Sequence, residues 1–188
     1  MTAAPPEQLT LAHVATPIGP ALLLADRTGR LAGFDFENRT DHLLTRMRRS
    51  WGPDAIVEGA APAALCQALD AYFTGELQTL DTIDCVLRGT PFQQRVWAAL
   101  RKIPAGQTTT YAALAERIGA ARAVRATGAA NGANPIAVVI PCHRVIGSGG
   151  GLTGYGGGLE RKRWLLEHEG ALSPLPVTAR AGERNRPR

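Results

Sequence analysis

The sequence has few cysteines and no long apolar run, and each shortage excludes a class of protein. The three cysteines, Cys66, Cys85 and Cys142, are widely spaced without a CxxC pair, which argues against a disulfide framework and against a thiolate zinc site. No apolar stretch approaches the roughly 20 residues that span a bilayer, and Met1–Thr10 lacks the basic start and apolar block of a secretory signal. We therefore expect no membrane segment and a cytoplasmic protein with reduced thiols.

Charge is unevenly distributed along the 188 residues, whose net charge is +5. Residues 1–85 carry six basic and eleven acidic residues, a net −5, whereas residues 86–170 carry eleven basic and four acidic residues, a net +7. Residues 171–188 add a further +3. The basic second half indicates a polyanionic partner, with uneven surface solvation as the alternative.

The first 85 residues have the pattern of a small α/β domain. Three short apolar runs are separated by turn residues and predict an antiparallel sheet: Leu9–Val14, Ala21–Asp26 and Leu31–Phe36. Helices are predicted over Asp41–Arg49 and Pro62–Phe73, the second beginning on its proline. This half contains no evident active-site pattern.

A mainly helical domain is expected to begin near residue 86, where the composition changes. Thr90–Gln93 has the composition of a capping box and predicts a helix that ends before Pro104. A second helix follows Thr110 and ends at Gly119, and a third, Arg122–Asn131, is small-sided and basic. The last two helices have the outline of a helix-turn-helix, although helices that pack closely without binding DNA share that pattern.

Three further segments complete the chain. Gly147–Gly158 contains eight glycines but no GxxxxGK[ST] motif, which predicts a tightly turning loop rather than a phosphate-binding loop. Leu159–His168 is predicted as the last helix, with a basic first turn. The stretch 173–188 is rich in proline and arginine and is expected to be a disordered tail.

The stretch most informative about chemistry is an apolar run, Ile136–Ile140, followed by Pro141–Arg144. Cys142 lies beside a histidine and an arginine, an electropositive setting that favours the nucleophilic thiolate, and the histidine can take the thiol proton. A carboxylate is then needed to orient the imidazole, and Glu167 and Glu169 are the candidates. A buried structural cysteine is the alternative reading of this pattern.

These residues resemble the signature of the O6-alkylguanine-DNA alkyltransferases. The resemblance is strong over about residues 86–170 and looser over 1–85, where it is closest to the bacterial members. The matching segments are Phe92–Trp97, Thr110–Tyr111, Arg125, Gly128–Gly132, Asn134–Pro135, Pro141–Val145, Gly154–Gly158 and Trp164–Gly170.

The resemblance implies an α+β fold. A small N-terminal α/β domain, ribonuclease H-like with antiparallel strands (1–85), would precede a mainly helical, winged-helix-like domain with the helix-turn-helix (86–172). It implies direct-reversal DNA repair, in which the alkyl group of O6-alkylguanine, and of O4-alkylthymine, moves irreversibly to Cys142 once per molecule. The partner would be double-stranded DNA, bound through its minor groove by a monomer that can cluster on it. No cofactor and no metal are expected.

The resemblance also implies roles for single residues in catalysis. Cys142 would attack the alkyl carbon, while His143, through a water, and Glu169 would draw off the thiol proton. Asn134 would brace the turn that holds the cysteine. Tyr111 would assist departure of the guanine as negative charge develops on it.

Other residues would bind the DNA and the flipped base. Arg125 would fill the gap that the extruded base leaves in the duplex. The remaining DNA contacts implied are Tyr111, Ala126, Ala129, Ala130 and Ser148. The alkylguanine pocket would be lined by Val145, Tyr155, Gly156 and Gly157.

The sequence departs from relatives at two pocket positions. Ala137 stands where some members have proline and Gly156 where some have serine, so we expect a roomier pocket with fewer hydrogen bonds. Two other functions stay open at this point. One is a non-catalytic sensor of damaged DNA, which Cys142 argues against; the other is a cysteine hydrolase that uses Cys142, His143 and Glu169 and leaves the basic helix-turn-helix unexplained.

Overall fold

The computed structural model describes residues 7–173. The strands are β1 (Leu9–Val14), β2 (Ala21–Asp26), β3 (Leu31–Phe36), β4 (Ile56–Glu58), β5 (Thr109–Thr110) and β6 (Val145–Ile146). The helices are α1 (Thr40–Trp51), α2 (Ala63–Phe73), α3 (Pro91–Leu100), α4 (Tyr111–Arg117), α5 (Val124–Gly132) and α6 (Leu159–His168). Short 3-10 turns occupy Glu37–Arg39, Leu77–Thr82 and Cys142–Arg144.

The N-terminal sheet forms because alternating turns return the apolar runs antiparallel to one another. The strand order is β3-β2-β1-β4, with β1, β2 and β3 antiparallel and β4 parallel to β1. Between β2 and β3, the Asp26 carboxylate accepts hydrogen bonds from the amides of Thr28 (2.9 Å) and Arg30 (3.0 Å), which closes the turn. The predicted antiparallel sheet is confirmed, and β4 is an addition to it.

The predicted helices are present, with shifts of one or two residues at several of their ends. Thr90 and Gln93 exchange the two hydrogen bonds of a capping box at the start of α3, as the sequence predicts. Pro62 is the N-cap of α2 rather than its first helical residue, so that prediction was wrong by one position. The third predicted helix begins at Val124, and Arg122 therefore lies outside α5.

One apolar cluster joins the sheet to the helices of the second half. Phe34, Tyr72, Trp97 and Leu165 are all completely buried within it. The indole Nε1 of Trp97 donates to the carbonyl oxygen of Ala130 at 2.9 Å, which ties α3 to α5 through the core. The continuous core fixes the site residues of the second half against the N-terminal sheet.

The segment that leads to Cys142 pairs with the edge of that sheet. The amide of Phe34 donates to the carbonyl of Pro135 at 2.9 Å, and the amide of Ala137 donates back to the carbonyl of Phe34 at 2.7 Å. These two bonds place β3 beside the cysteine segment, although just over a hundred positions separate the bonded residues in sequence.

The structure confirms the predicted α+β class, with an N-terminal strand sheet and a helical C-terminal part that includes the small β5-β6 sheet. The predicted disorder of 173–188 falls almost wholly on residues 174–188, which lie outside the described range. Between residues 7 and 173, no helix is both long and apolar enough to cross a membrane.

Candidate active site

Cys142 begins a 3-10 turn at the end of a buried, irregular segment. The amide of Cys142 donates to the carbonyl of Ile140 at 2.7 Å. Val138, within the apolar run, has a φ of 68°, a left-handed conformation that is costly for a β-branched residue. The run is therefore a folded turn rather than an extended strand.

Asn134 holds that turn closed. Its Nδ2 donates to the carbonyl oxygens of Ile136 (3.3 Å) and Ile140 (2.7 Å), and its Oδ1 accepts from the amide of Ile136 (3.0 Å). Asn134 is 7% exposed, so these bonds replace water for the backbone groups they reach. Asn134 thus binds the backbone both before and after the strained residue Val138.

The Cys142 thiol is buried and protonated at neutral pH. Its residue is 8% exposed, and burial raises its pKa to about 11, against the opposing hydrogen bond from Asn134. The expectation that neighbouring positive charge favours the thiolate was wrong, because His143 and Arg144 point to Glu169 instead. The thiol must therefore lose its proton during the reaction.

Glu169, just beyond α6, accepts hydrogen bonds from three side chains that surround it. Its Oε1 accepts from His143 Nε2 (2.9 Å), Arg144 Nη2 (2.8 Å) and the Tyr72 hydroxyl (2.8 Å), and its Oε2 accepts from Arg144 Nε (2.8 Å). Burial would raise the pKa of Glu169, but His143 and Arg144 lower it to about 2. Glu167 lies 3.7 Å from Arg163 instead, so Glu169 is the carboxylate that orients the imidazole.

The ionised carboxylate determines which nitrogen of His143 carries the proton. Since Glu169 can only accept, the proton resides on His143 Nε2. Burial lowers the pKa of His143, so the ring is neutral at pH 7. Its Nδ1 is buried and has no hydrogen-bond partner within residues 7–173. The arrangement leaves a free imidazole lone pair next to Cys142 in the chain.

Two buried residues of the site escaped the sequence interpretation. Lys162 donates from Nζ to the carbonyls of Val145 (2.6 Å) and Thr153 (2.7 Å), and burial lowers its pKa to about 8. It shares one face of α6 with Leu165 and Leu166 at the i, i+3, i+4 spacing, which was the available signal. Tyr72 contributes its hydroxyl from α2. The sequence pattern placed this residue on the apolar face of a helix and gave no sign that its hydroxyl reaches Glu169.

A narrow cavity extends over Cys142. Its walls include Asn134, Ala137 and three of the predicted pocket residues: Tyr155, Gly156 and Gly157. The space that the centre of a water molecule can occupy is about 20 Å³. Val145, the fourth predicted pocket residue, is buried but does not line this cavity. Its carbonyl accepts a hydrogen bond from Lys162 Nζ.

Tyr111, the first residue of α4, lies at one side of the glycine-rich segment. Its hydroxyl is 3.5 Å from the carbonyl oxygens of both Thr153 and Gly154. Its ring packs against Gly128 of α5, where an added Cβ would lie 3.7 Å from the ring. The residue therefore connects the helix-turn-helix to the wall of the cavity.

Helix α5 presents one face to solvent and one to the core. Arg125, Ala126 and Ala129 are exposed, as is Ser148 in the following loop. Ala130 is 4% exposed and packs in the apolar cluster, so the predicted contact of its side chain with DNA was wrong. Arg125, Ala126 and Ala129 therefore make up the exposed part of the predicted DNA-contacting set on α5.

Residues 7–173 contain no group of three His, Cys, Asp or Glu side chains that could hold a metal ion.

Comparisons with known proteins cover both halves of the chain. Residues 10–84 match the ribonuclease-like domain of 6-O-methylguanine DNA methyltransferase, and residues 91–171 match its DNA-binding domain. A methylated-DNA–protein-cysteine methyltransferase of Salmonella typhimurium is 48% identical over 162 residues, which cover 85% of this chain and 94% of that protein. One from Mycobacterium tuberculosis is 50% identical over 163 residues, covering 87% and 93%.

Solved structures agree with this likeness. A crystal structure of the Mycobacterium tuberculosis protein in complex with DNA is 42% identical, with a TM-score of 0.72 over 86% of this chain and 93% of that one. An archaeal O6-methylguanine-DNA methyltransferase from Pyrococcus kodakaraensis is 26% identical, with a TM-score of 0.65 over 87% and 99%. With both domains matched and close to half of the residues shared with its relatives, the chain belongs to the O6-alkylguanine-DNA alkyltransferase family.

Proposed function

We propose that this protein repairs DNA by moving the alkyl group of O6-alkylguanine, and of O4-alkylthymine, to the sulfur of Cys142. The observation that carries the proposal is the buried thiol at the cavity, followed directly by a neutral histidine whose free Nδ1 can accept a proton. The family names of the relatives point to the same chemistry. A thioether is chemically stable towards neutral water and imidazole, so the alkyl group stays on the sulfur and each molecule reacts once.

The reaction forms one carbon–sulfur bond and breaks one carbon–oxygen bond. Cys142 Sγ attacks the alkyl carbon, and the thiol proton passes through a water to His143 Nδ1. Glu169 stabilises the imidazolium because its carboxylate already accepts from Nε2 at 2.9 Å. The guanine leaves with the electron pair of the broken bond, and Tyr111 donates a proton to it. Through solvent, His143 then releases the proton it received and Tyr111 regains the one it gave, so the proton lost by sulfur is matched by the proton gained by the base.

The depth of Cys142 requires the damaged base to leave the duplex. Cys142 is only 8% exposed and lines a narrow cavity with Tyr155, Gly156 and Gly157. An O6 substituent stacked inside DNA cannot reach such a sulfur, so the nucleotide is flipped into the cavity.

The exposed face of α5 is the proposed contact with the DNA minor groove. Ala126 and Ala129 allow the helix backbone to approach closely, and Arg125 enters the space that the flipped base vacates. Tyr111 and Ser148 contact phosphates on either side. Phosphate contacts of this kind make binding weakly dependent on sequence and strongly dependent on salt.

Residues 1–85 form the N-terminal structural unit and residues 86–172 the DNA-binding and transfer unit. The protein acts as a monomer in the cytoplasm, and several copies can cluster on one DNA molecule.

Duplex DNA with a labelled O6-methylguanine tests the function. Label should move to the wild-type protein and to Cys66→Ala, and it should not move to Cys142→Ala. Transfer to Cys142→Ala would overturn the assignment of the acceptor. Release of labelled methanol with repeated turnover would show a hydrolase, and DNA binding without transfer would show a damage sensor.

A further inference from the structure

The volume beside Gly156 is occupied by a side chain from the other half of the protein. A Cβ added at Gly156 would overlap the guanidinium of Arg39, which belongs to the 3-10 turn after β3. The expectation of a roomier pocket at this position was therefore wrong. The space released by the missing side chain at residue 156 is filled by Arg39.

Arg39 is held in that position by a buried acid. Its Nε donates to Oδ2 of Asp35 at 2.8 Å, and the other oxygen of Asp35 accepts from the amide of Phe36 at 3.0 Å. Asp35 is 5% exposed and Arg39 has a side-chain exposure of 20%. Arg39 Nη2 also lies 2.9 Å from Nδ1 of His42. Two partners thus fix the orientation of the guanidinium.

The pair borders the same cavity as the reactive thiol. Asp35 and Arg39 line it together with Cys142 and the Gly154–Gly157 segment. The open space, about 20 Å³, is enough for one or two water molecules at roughly 10–15 Å³ each. A base and its substituent can therefore fit only if part of the wall moves.

The two sides of the wall differ in how easily they can move. The segment from Gly147 to Gly158 contains eight glycines, whose backbone can adopt many conformations at low cost. Arg39 is instead tethered to a carboxylate whose burial makes loss of its partner expensive. Movement of the glycine-rich side therefore costs less than movement of Arg39.

We propose that Arg39, positioned by Asp35, limits the size of the alkyl group that can reach Cys142. This inference rests on the function proposed above. Arg39 fills the volume that a side chain at residue 156 would otherwise take, so methyl-sized groups fit beside it and bulky ones do not. The N-terminal unit thereby determines substrate range, although the reacting residues belong to the C-terminal unit.

The test compares two duplexes of one sequence, one with O6-methylguanine and one with O6-benzylguanine. Transfer rate constants are measured for the wild type and for Arg39→Ala, Arg39→Met and Arg48→Ala. Arg48 is an exposed arginine of α1 and serves as the matched control. Melting temperatures verify that each variant is folded.

Arg39→Ala should raise the ratio of benzyl to methyl rates about tenfold or more, the range in which pocket volume discriminates between substrates. Arg39→Met, which keeps most of the volume, and Arg48→Ala should leave the ratio near that of the wild type. An unchanged ratio in Arg39→Ala, or an equal rise in Arg39→Met, would overturn the inference.

Substitutions at Gly156 test directly whether residues 39 and 156 share one volume. Gly156→Ser alone should slow both reactions, because its side chain meets Arg39. The double variant Arg39→Ala/Gly156→Ser should recover the methyl rate and bring the ratio back toward the wild type. Additive effects of the two changes would contradict the shared volume. If the wild type accepts neither group, the proposed function itself fails, whereas methyl transfer with an unaltered ratio overturns only the role of Arg39.

Discussion

The hydroxyl of Tyr72 donates a hydrogen bond to the Glu169 carboxylate at 2.8 Å, joining α2 to the active site across 97 positions of the chain. Both residues are buried, Tyr72 completely and Glu169 with 4% exposure. Glu169 in turn holds His143, the proposed proton acceptor. The N-terminal half therefore takes part in orienting the catalytic imidazole.

Replacing Tyr72 with phenylalanine should destabilise the fold by about 1.5–3 kcal/mol, the range for a hydrogen bond to a charged group. Tyr155→Phe is the matched control, since the Tyr155 hydroxyl is buried without a partner in the described part of the chain. Urea unfolding of both variants measures the difference. Equal losses of stability would show that the Tyr72 hydroxyl contributes nothing through Glu169.

Stability should fall in acid partly through Glu169. Its pKa is about 2 in the folded protein, below its ordinary value of 4.5. As the pH falls, the unfolded chain therefore binds this proton before the folded protein does. The contribution of the ionised Glu169 carboxylate to the free energy of unfolding is complete above pH 4.5 and is lost as the pH falls from 4.5 toward 2. The linked free energy is on the order of 3 kcal/mol.

Glu169→Gln isolates that contribution from those of the other carboxylates. The difference in unfolding free energy between the wild type and Glu169→Gln should be largest at pH 7 and should shrink below pH 4.5. A difference that stays constant from pH 7 to pH 3 would mean that Glu169 is not held ionised by its neighbours.

Asn134→Ala should both destabilise the protein and slow alkyl transfer. The change removes the donor to two buried carbonyl groups, which costs about 1–3 kcal/mol, and it frees the left-handed turn at Val138. Gln94→Ala removes an exposed amide that also donates to a backbone carbonyl, that of Gly89. This control should lose only a few tenths of a kcal/mol. Similar losses in both variants would argue against a bracing role for Asn134.

Cys142 should be a poor target for general thiol reagents. With a pKa of about 11, roughly one thiol in three thousand is ionised at pH 7.5, and its sulfur is covered. A disulfide reagent should therefore label the half-buried Cys66 before Cys142. Methylated DNA should reverse that order, modifying Cys142 alone. Fast labelling of Cys142 in the absence of DNA would contradict the protonated, covered thiol.

Local sequence signals predicted the regular elements well. The bounds of β1, β2, β3 and α6 were predicted as the structure has them, because clear turn residues or glycines flank each apolar pattern. Strand β4, with three mostly exposed residues, has too little pattern to be recognised. Its pairing with β1 is a tertiary effect.

The active site was predictable only where its chemistry lies in consecutive residues or in a family motif. The order of Cys142 and His143 indicated a nucleophile and a base, but not that burial would keep the thiol protonated. Arg39 and Tyr72 reach the site through folding alone, from a half of the chain without any catalytic pattern. Such contacts depend on packing between distant segments, which spacing along the sequence does not encode.

Mass analysis of the intact protein and of its peptides, after reaction with a duplex that contains O6-methylguanine, tests the central claim most directly. With DNA in excess, each protein molecule should gain one methyl group, located on Cys142, and should then be inert to fresh DNA. Cys66→Ala should behave as the wild type. A methyl group on another residue, or repaired DNA in excess of protein without any gain of mass, would contradict the account.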